Sequence, residues 1–62
     1  MGYTHVNSLN RAITMIAKAT GLSKEKVRNI LADGKQRIFQ TVGEMEIIFI
    51  PDNSGFICAV EG

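Results

Sequence analysis

Leu9, Ala12, Ile13, Ile16 and Ala17 fall at i, i+3, i+4, i+7 and i+8, the spacing that lines one face of an α-helix. The pattern predicts a helix over about 8–20. Asn7 or Ser8 can cap its start, because a side-chain oxygen there accepts from backbone N–H groups that lack a partner inside the helix, and Gly21 can end it with a positive φ. A shorter repeat follows in Val27, Ile30 and Leu31, with Ser23 as N-cap, Glu25 in the first turn where the helix dipole favours an anion, and Asp33-Gly34 at its close. It predicts a second helix over about 23–33.

Beyond Gly34 the character changes. Segments 36–42, 45–50 and 56–61 are rich in β-branched and aromatic residues and read as strands. Gly43-Glu44 is a two-residue hairpin connection, and Pro51 to Gly55 is a turn in which Pro fixes φ and Asn or Gly accepts the left-handed region. Residues 2–6 leave room for a short fourth strand. The expected fold is therefore α+β, two N-terminal helices followed by a three-stranded antiparallel meander, in a single domain over 1–62. One strand is apolar on both faces, with Ile47 and Phe49 on one side and Ile48 and Ile50 on the other. Two helices can cover only one face of such a sheet, and a solvated antiparallel face is ordinarily polar. The surface made by Ile48, Ile50 and Ile57 is thus expected to meet a partner, most simply a second copy in a homodimer.

Length sharpens this picture. A chain of 62 residues buries only about 60% of the surface its unfolded form exposes, so it has one core and little stability to spare. A multi-domain enzyme is excluded. Cys58 is the sole cysteine, and with His5 the sole histidine there is no disulfide and no zinc-ligand set to staple the fold. No cofactor or metal is expected. There is no long apolar run for a membrane span and no leader-like N-terminus, and the reading is of a cytoplasmic protein in a reducing compartment.

Charge changes it further. The formal net charge is +1, but all seven Lys and Arg lie at or before position 37 against only Glu25 and Asp33, a net of +5 for 1–37. From residue 38 onward Glu44, Glu46, Asp52 and Glu61 stand without any Lys or Arg, a net of −4. A basic segment of this kind raises nucleic acid as a partner.

The junction between the two helices falls inside the basic segment. In Ile16-Ala-Lys-Ala-Thr-Gly-Leu-Ser-Lys-Glu-Lys-Val-Arg-Asn-Ile-Leu31, Ala17 lets the second helix cross closely, Gly21 makes the tight turn, and Leu22, Val27 and Ile30 pin the crossing into a shared core. This stretch resembles the helix-turn-helix of bacterial repressors, including the lactose-repressor family, through Ala-x-x-x-Gly-(Val/Leu)-Ser-x-x-x-Val. The resemblance covers about a quarter of the chain, and the third helix usual in such domains is here replaced by strands. It implies a partner in double-stranded DNA, with the second helix in the major groove. Carried over by position, the base-reading residues would be Ser23, Lys24, Glu25, Arg28 and Asn29, with Ala32 at their margin, and Lys18, Thr20, Lys26 and Lys35 would touch phosphate. The helical wheel supports most of this independently, since Glu25, Arg28, Asn29 and Ala32 point outward when Val27, Ile30 and Leu31 point in. Arg28 matches guanine and Asn29 adenine by their planar hydrogen-bonding groups. The hairpin occupies the place of a wing, but a DNA-touching tip should be basic and Glu44 and Glu46 make this one acidic.

The same spacing is also similar to the helical pair that opens the HU family of architectural DNA-binding proteins, whose long basic arms are missing here, and to ubiquitin-associated-type helical pairs that bind proteins. No catalytic residue is assigned. His5 has no acid or nucleophile at a meaningful spacing, Cys58 reads as a small buried hydrophobe, and Glu44 and Glu46 read as solvated hairpin carboxylates. The function expected is that of a small sequence-specific DNA-binding transcriptional regulator. The alternative is a non-catalytic protein-interaction module that uses the apolar sheet.

Overall fold

The computed structural model describes residues 2–62. The first helix, α1, runs Leu9–Thr20, and its face of Ala12, Ile13, Ile16 and Ala17 is the buried one, as the spacing requires. Ser8 rather than Asn7 is its N-cap, with the Arg11 N–H donating to Ser8 Oγ at 3.2 Å, and Gly21 closes it at φ 78°. The second, α2, spans Lys24–Leu31. Its N-cap is Ser23, whose Oγ accepts from the Lys26 N–H at 3.1 Å, and Val27 and Leu31 are its buried residues.

Helix α2 stops two residues before the expected end at 33, and the reason is local. The Gly34 N–H donates to the Leu31 carbonyl at 3.0 Å, closing a β-turn over Leu31 to Gly34. Ala32 stands in that turn at φ 54° and ψ −126°, the first central position of a type II′ turn, where Gly is the usual residue. Gly34 follows at φ 72°, and a Cβ there would lie 2.9 Å from Leu9 Cδ1. The loop is tied down once more by Asp33, whose Oδ1 accepts from the Lys35 N–H at 3.0 Å.

Four strands complete the chain: β1 (Thr4–Val6), β2 (Ile38–Val42), β3 (Met45–Asp52) and β4 (Gly55–Glu61). They form one antiparallel sheet in the order β1-β4-β3-β2. Residues 2–6 do supply the fourth strand, and it takes the open side of β4. Strand β3 runs two residues past the expected end at 50 and includes Pro51, which pairs with Phe56. Proline is tolerated here because β2 ends opposite Phe49, so nothing on that side needs the missing N–H. The turn between β3 and β4 shrinks to Asn53-Ser54, and of its residues and flanks only Gly55 has a positive φ. A Cβ on Gly55 would collide with the Val6 carbonyl oxygen, so the glycine is set by the approach of β1.

Both helices pack on one face of the sheet. Ile47, Phe49, Cys58 and Val60 from β3 and β4 meet Ile13, Ile16, Val27 and Leu31 in a single buried cluster. Phe49 stacks on Phe56 with ring centroids 5.2 Å apart. No side-chain polar atom among the described residues is buried without a partner.

One strained position gives a stability test. A non-glycine residue held in a sparsely populated backbone region costs of order 1–3 kcal/mol. Ala32→Gly should therefore stabilise the fold by about 1 kcal/mol after the extra chain entropy of glycine is subtracted, which raises Tm by about 4–8 °C in a domain of this size. Thermal unfolding followed by circular dichroism checks this, and an unchanged or lowered Tm would show that the turn carries no such strain.

Candidate nucleic-acid interface

The helices present their polar faces away from the sheet. On α1 the buried stripe leaves Arg11 and Lys18 on the opposite crest, seven residues and so about 10 Å apart along the axis. On α2 the crest opposite Val27 and Leu31 carries Glu25 and Asn29, flanked by Lys24 and Arg28 on one side and by Lys26 and Ile30 on the other. Lys18, Lys24, Glu25, Lys26, Arg28, Asn29 and Lys35 are all exposed. The expected base-reading residues therefore lie on accessible helix surface, spread across the whole outer arc of α2.

What separates the two helices is three residues, Gly21 to Ser23. Thr20 has a structural duty in this turn. Its Oγ1 donates to the Ile16 carbonyl at 2.7 Å and accepts from the Leu22 N–H at 3.2 Å. A hydroxyl has one proton, so Thr20 has none left to donate to phosphate while the turn is intact. Ser23 differs, because its Oγ acts only as an acceptor toward Lys26 and keeps its proton available. A shallow groove beside α2 is lined by Ser23, Glu25, Lys26, Asn29, Ile30 and, from β2, Gln40.

The cations of this layer are unneutralised. Among the described residues no Lys or Arg nitrogen lies within 4.0 Å of a carboxylate, the sole ion-pair contact being that of His5 with Asp52. The acids of the C-terminal half lie elsewhere. Glu46 and Glu61 are directly opposed across β3 and β4, on the sheet face away from the helices, and Glu44 is at the β2–β3 turn. The split seen along the chain is thus also a split between the layers.

The outer sheet face is apolar but not uniformly available. Ile48 is only 5% exposed and Ala59 only 1%, each shielded by cross-strand neighbours in the middle of the sheet. Of the expected partner surface, Ile50 and Ile57 are half-buried, and Ile48 offers little area. The large hydrophobic side chains left exposed are Tyr3 and Phe39, 62% and 59% exposed. Phe39 stands on that face, paired across β2 and β3 with Ile48, and Tyr3 directly precedes β1; nothing in the hydrophobic pattern of either short segment singled them out. Two copies joined through this face would point their helix layers in opposite directions. A face-to-face dimer therefore cannot set two α2 helices against one side of a duplex.

His5 is not alone, as the spacing along the chain suggested. Pairing of β1 with β4 brings its Nε2 to 3.7 Å from Asp52 Oδ2 and 3.3 Å from Ser54 Oγ. A Ser-His-acid relay needs the acid on one ring nitrogen and the nucleophile on the other. Here both fall on Nε2, and all three residues are exposed, so the group is a surface polar contact. No cluster of three or more metal-ligating side chains occurs among the described residues, and none of their helices is long and apolar enough to cross a membrane.

Compared with known protein families, curated proteins and solved structures, the chain matches none of them.

Cys58 lies in the core, and burial pushes its thiol pKa up to about 11. The native thiol resists deprotonation while the unfolded chain releases the proton near its ordinary value. The stability this confers is complete below about pH 9 and is lost as pH rises toward about 11. Denaturant unfolding across that range should show stability falling with pH, and Cys58→Ala should flatten the fall. A wild type and variant with equal slopes would overturn the assignment.

Proposed function

We propose that the protein binds double-stranded DNA through its helix layer, with α2 in the major groove, as a small transcriptional regulator that works as a dimer. The observation that carries this reading is the set of exposed, unneutralised cations on and beside two helices joined by a three-residue glycine turn. Among the described residues no carboxylate lies within 4.0 Å of a Lys or Arg nitrogen to balance that charge, and phosphate would. Lys18, Lys26 and Lys35 act as phosphate contacts, while Arg28 and Asn29 reach base edges from the exposed side of α2. Ser23 and Lys24 approach the duplex at the N-terminus of α2, where the helix dipole also favours an anion. Glu25 disfavours phosphate and accepts from a cytosine amino group.

A second reading, docking of another protein on the outer sheet face, draws on the exposure of Phe39. The two readings use opposite sides of the molecule and are separated by one titration. Duplex DNA should shift amide resonances in residues 18–35, whereas a protein partner on the sheet should shift those of β3 and β4.

Three phosphate contacts predict a log–log dependence of the binding constant on salt with a slope of about −3, near −0.9 for each phosphate neutralised. Lys18→Ala should weaken binding to all sequences alike and reduce the slope by about one. Arg28→Ala should cost about 1–3 kcal/mol on a preferred site and relax specificity there. Mobility shifts across a salt series measure all three. Absence of any shift at low salt would sink the proposal.

A further inference from the structure

We infer that two copies of this chain pair edge to edge through β2, in antiparallel register about Gln40, to form one continuous eight-stranded sheet. Strand β2 is a free edge of the sheet. Natural proteins protect such edges with Lys, Pro, bulges or brevity, and the opposite edge, β1, has only three residues. Ile38-Phe39-Gln40-Thr41-Val42 has none of these devices: it is five residues long and uncharged, and its three central residues are exposed. Gln40 points to the helix side yet is exposed, so the helix layer stops short of this edge.

Backbone geometry selects the register. Gly43-Glu44 is a two-residue loop with Gly43 at φ 62° in its first central position, as a type II′ turn requires, and Val42 pairs with Met45. Such a loop closes on a hydrogen-bonded pair, so Val42, Gln40 and Ile38 bond to β3 and the N–H and C=O groups of Phe39 and Thr41 point to the open side. A twofold axis at Gln40 sets Phe39 against the partner's Thr41 and Thr41 against the partner's Phe39, which satisfies these outward groups in both chains. It also sets Ile38 against the partner's Val42 on the helix side. A shift of one residue would place apolar side chains on the wrong face, and a shift of two would oppose Ile38 to Gln40.

The charges at the strand ends fit the same arrangement. Arg37 precedes β2 and Glu44 follows it, about 23 Å apart within one extended chain and so unable to pair there. In the antiparallel register Arg37 comes opposite the partner's Gly43, beside the partner's Glu44, at both ends of the interface. Both helix layers then lie on one side of the common sheet, which the face-to-face arrangement denies them. The pairing rests on β2 alone and does not need DNA.

Sedimentation of the free protein, without DNA, tests it. A dimer is expected at micromolar concentration. Thr41→Pro removes an outward N–H and leaves the bonds to β3 in place, and should raise the dimer Kd by at least about tenfold while the far-ultraviolet spectrum is kept. Arg37→Glu should raise Kd by about three- to tenfold, and adding Glu44→Arg to it should restore the original value. This charge-swap pair decides the matter even if Thr41→Pro unfolds. A protein that stays monomeric at several hundred micromolar, or a dimer indifferent to Arg37→Glu and to its partner change, would overturn the inference. Loss of DNA binding in a protein that still dimerises would instead count against the function proposed above.

Discussion

The packing of the α1 stripe on the inner face of β3 and β4 is the contact on which every other feature depends. Ala12 and Ile16 are fully buried there against a layer that includes Phe49 and Cys58, equally buried. No disulfide or metal site among the described residues adds to it. A fully buried aromatic or aliphatic side chain of this kind is worth about 2–5 kcal/mol when truncated, a large share of the stability available to a domain so small. The small residues matter as much as the large ones: Ala12 and Ala17 let the helix lie close, and α2 reaches the same core through buried Val27 and Leu31 with half-buried Ile30 beside them. The position of α2, and with it the whole exposed polar arc, is therefore set from beneath by α1 and the sheet.

That dependence explains how a chain with a net charge of +1 becomes electrically two-sided. An amphipathic helix on a sheet has to turn its polar side outward, and here every charged residue of that side except Glu25 is basic. The sheet carries Glu44, Glu46, Asp52 and Glu61 at its turns and near its strand ends, with no Lys or Arg from residue 38 onward. Because the layers are a helix thickness apart, the two sets do not cancel by contact, and the one ion-pair contact among the described residues, His5 with Asp52, involves neither helix. The field of such an arrangement orients an approaching polyanion toward the helices and repels it from the hairpin.

Much of this was legible in the residues themselves. Periodicity located both helices, Ser8, Gly21 and Ser23 marked their ends, and the β-branched runs marked three strands in their correct antiparallel connection. What escaped was decided by contacts distant in sequence. Pro51 reads locally as the end of a strand, and only the shortness of β2 makes it harmless within β3. His5 reads as isolated because Asp52 and Ser54 are nearly fifty positions away until β1 docks on β4. The early end of α2 at Leu31 was hidden for a different reason, since it places alanine where the turn geometry favours glycine, against local preference. Ile48 looks available in an alternating pattern, yet its position in the middle of a four-stranded sheet covers it from both sides. On the helix layer the types and exposure of the polar residues could be read in advance, but the commitment of the Thr20 hydroxyl to its own turn could not, because a threonine near a helix end serves equally well in either role.

The geometry also constrains how function and assembly combine. A two-layer domain has three distinct kinds of surface: the helix layer, the outer sheet face and the sheet edges. Joining copies through the sheet face would cover Phe39 but turn the basic layers apart, so each dimer would hold two duplexes or use one helix layer at a time. Joining them through the β2 edge leaves both basic layers on one side and leaves the outer face free, with Phe39 extending it across the junction. The five uncharged residues of β2 between Arg37 and Glu44 are better matched to the second arrangement, because a self-complementary edge must be neutral at its centre and oppositely charged at its ends. The same strand that forms one wall of the groove beside α2 would then also set the spacing between the two α2 helices.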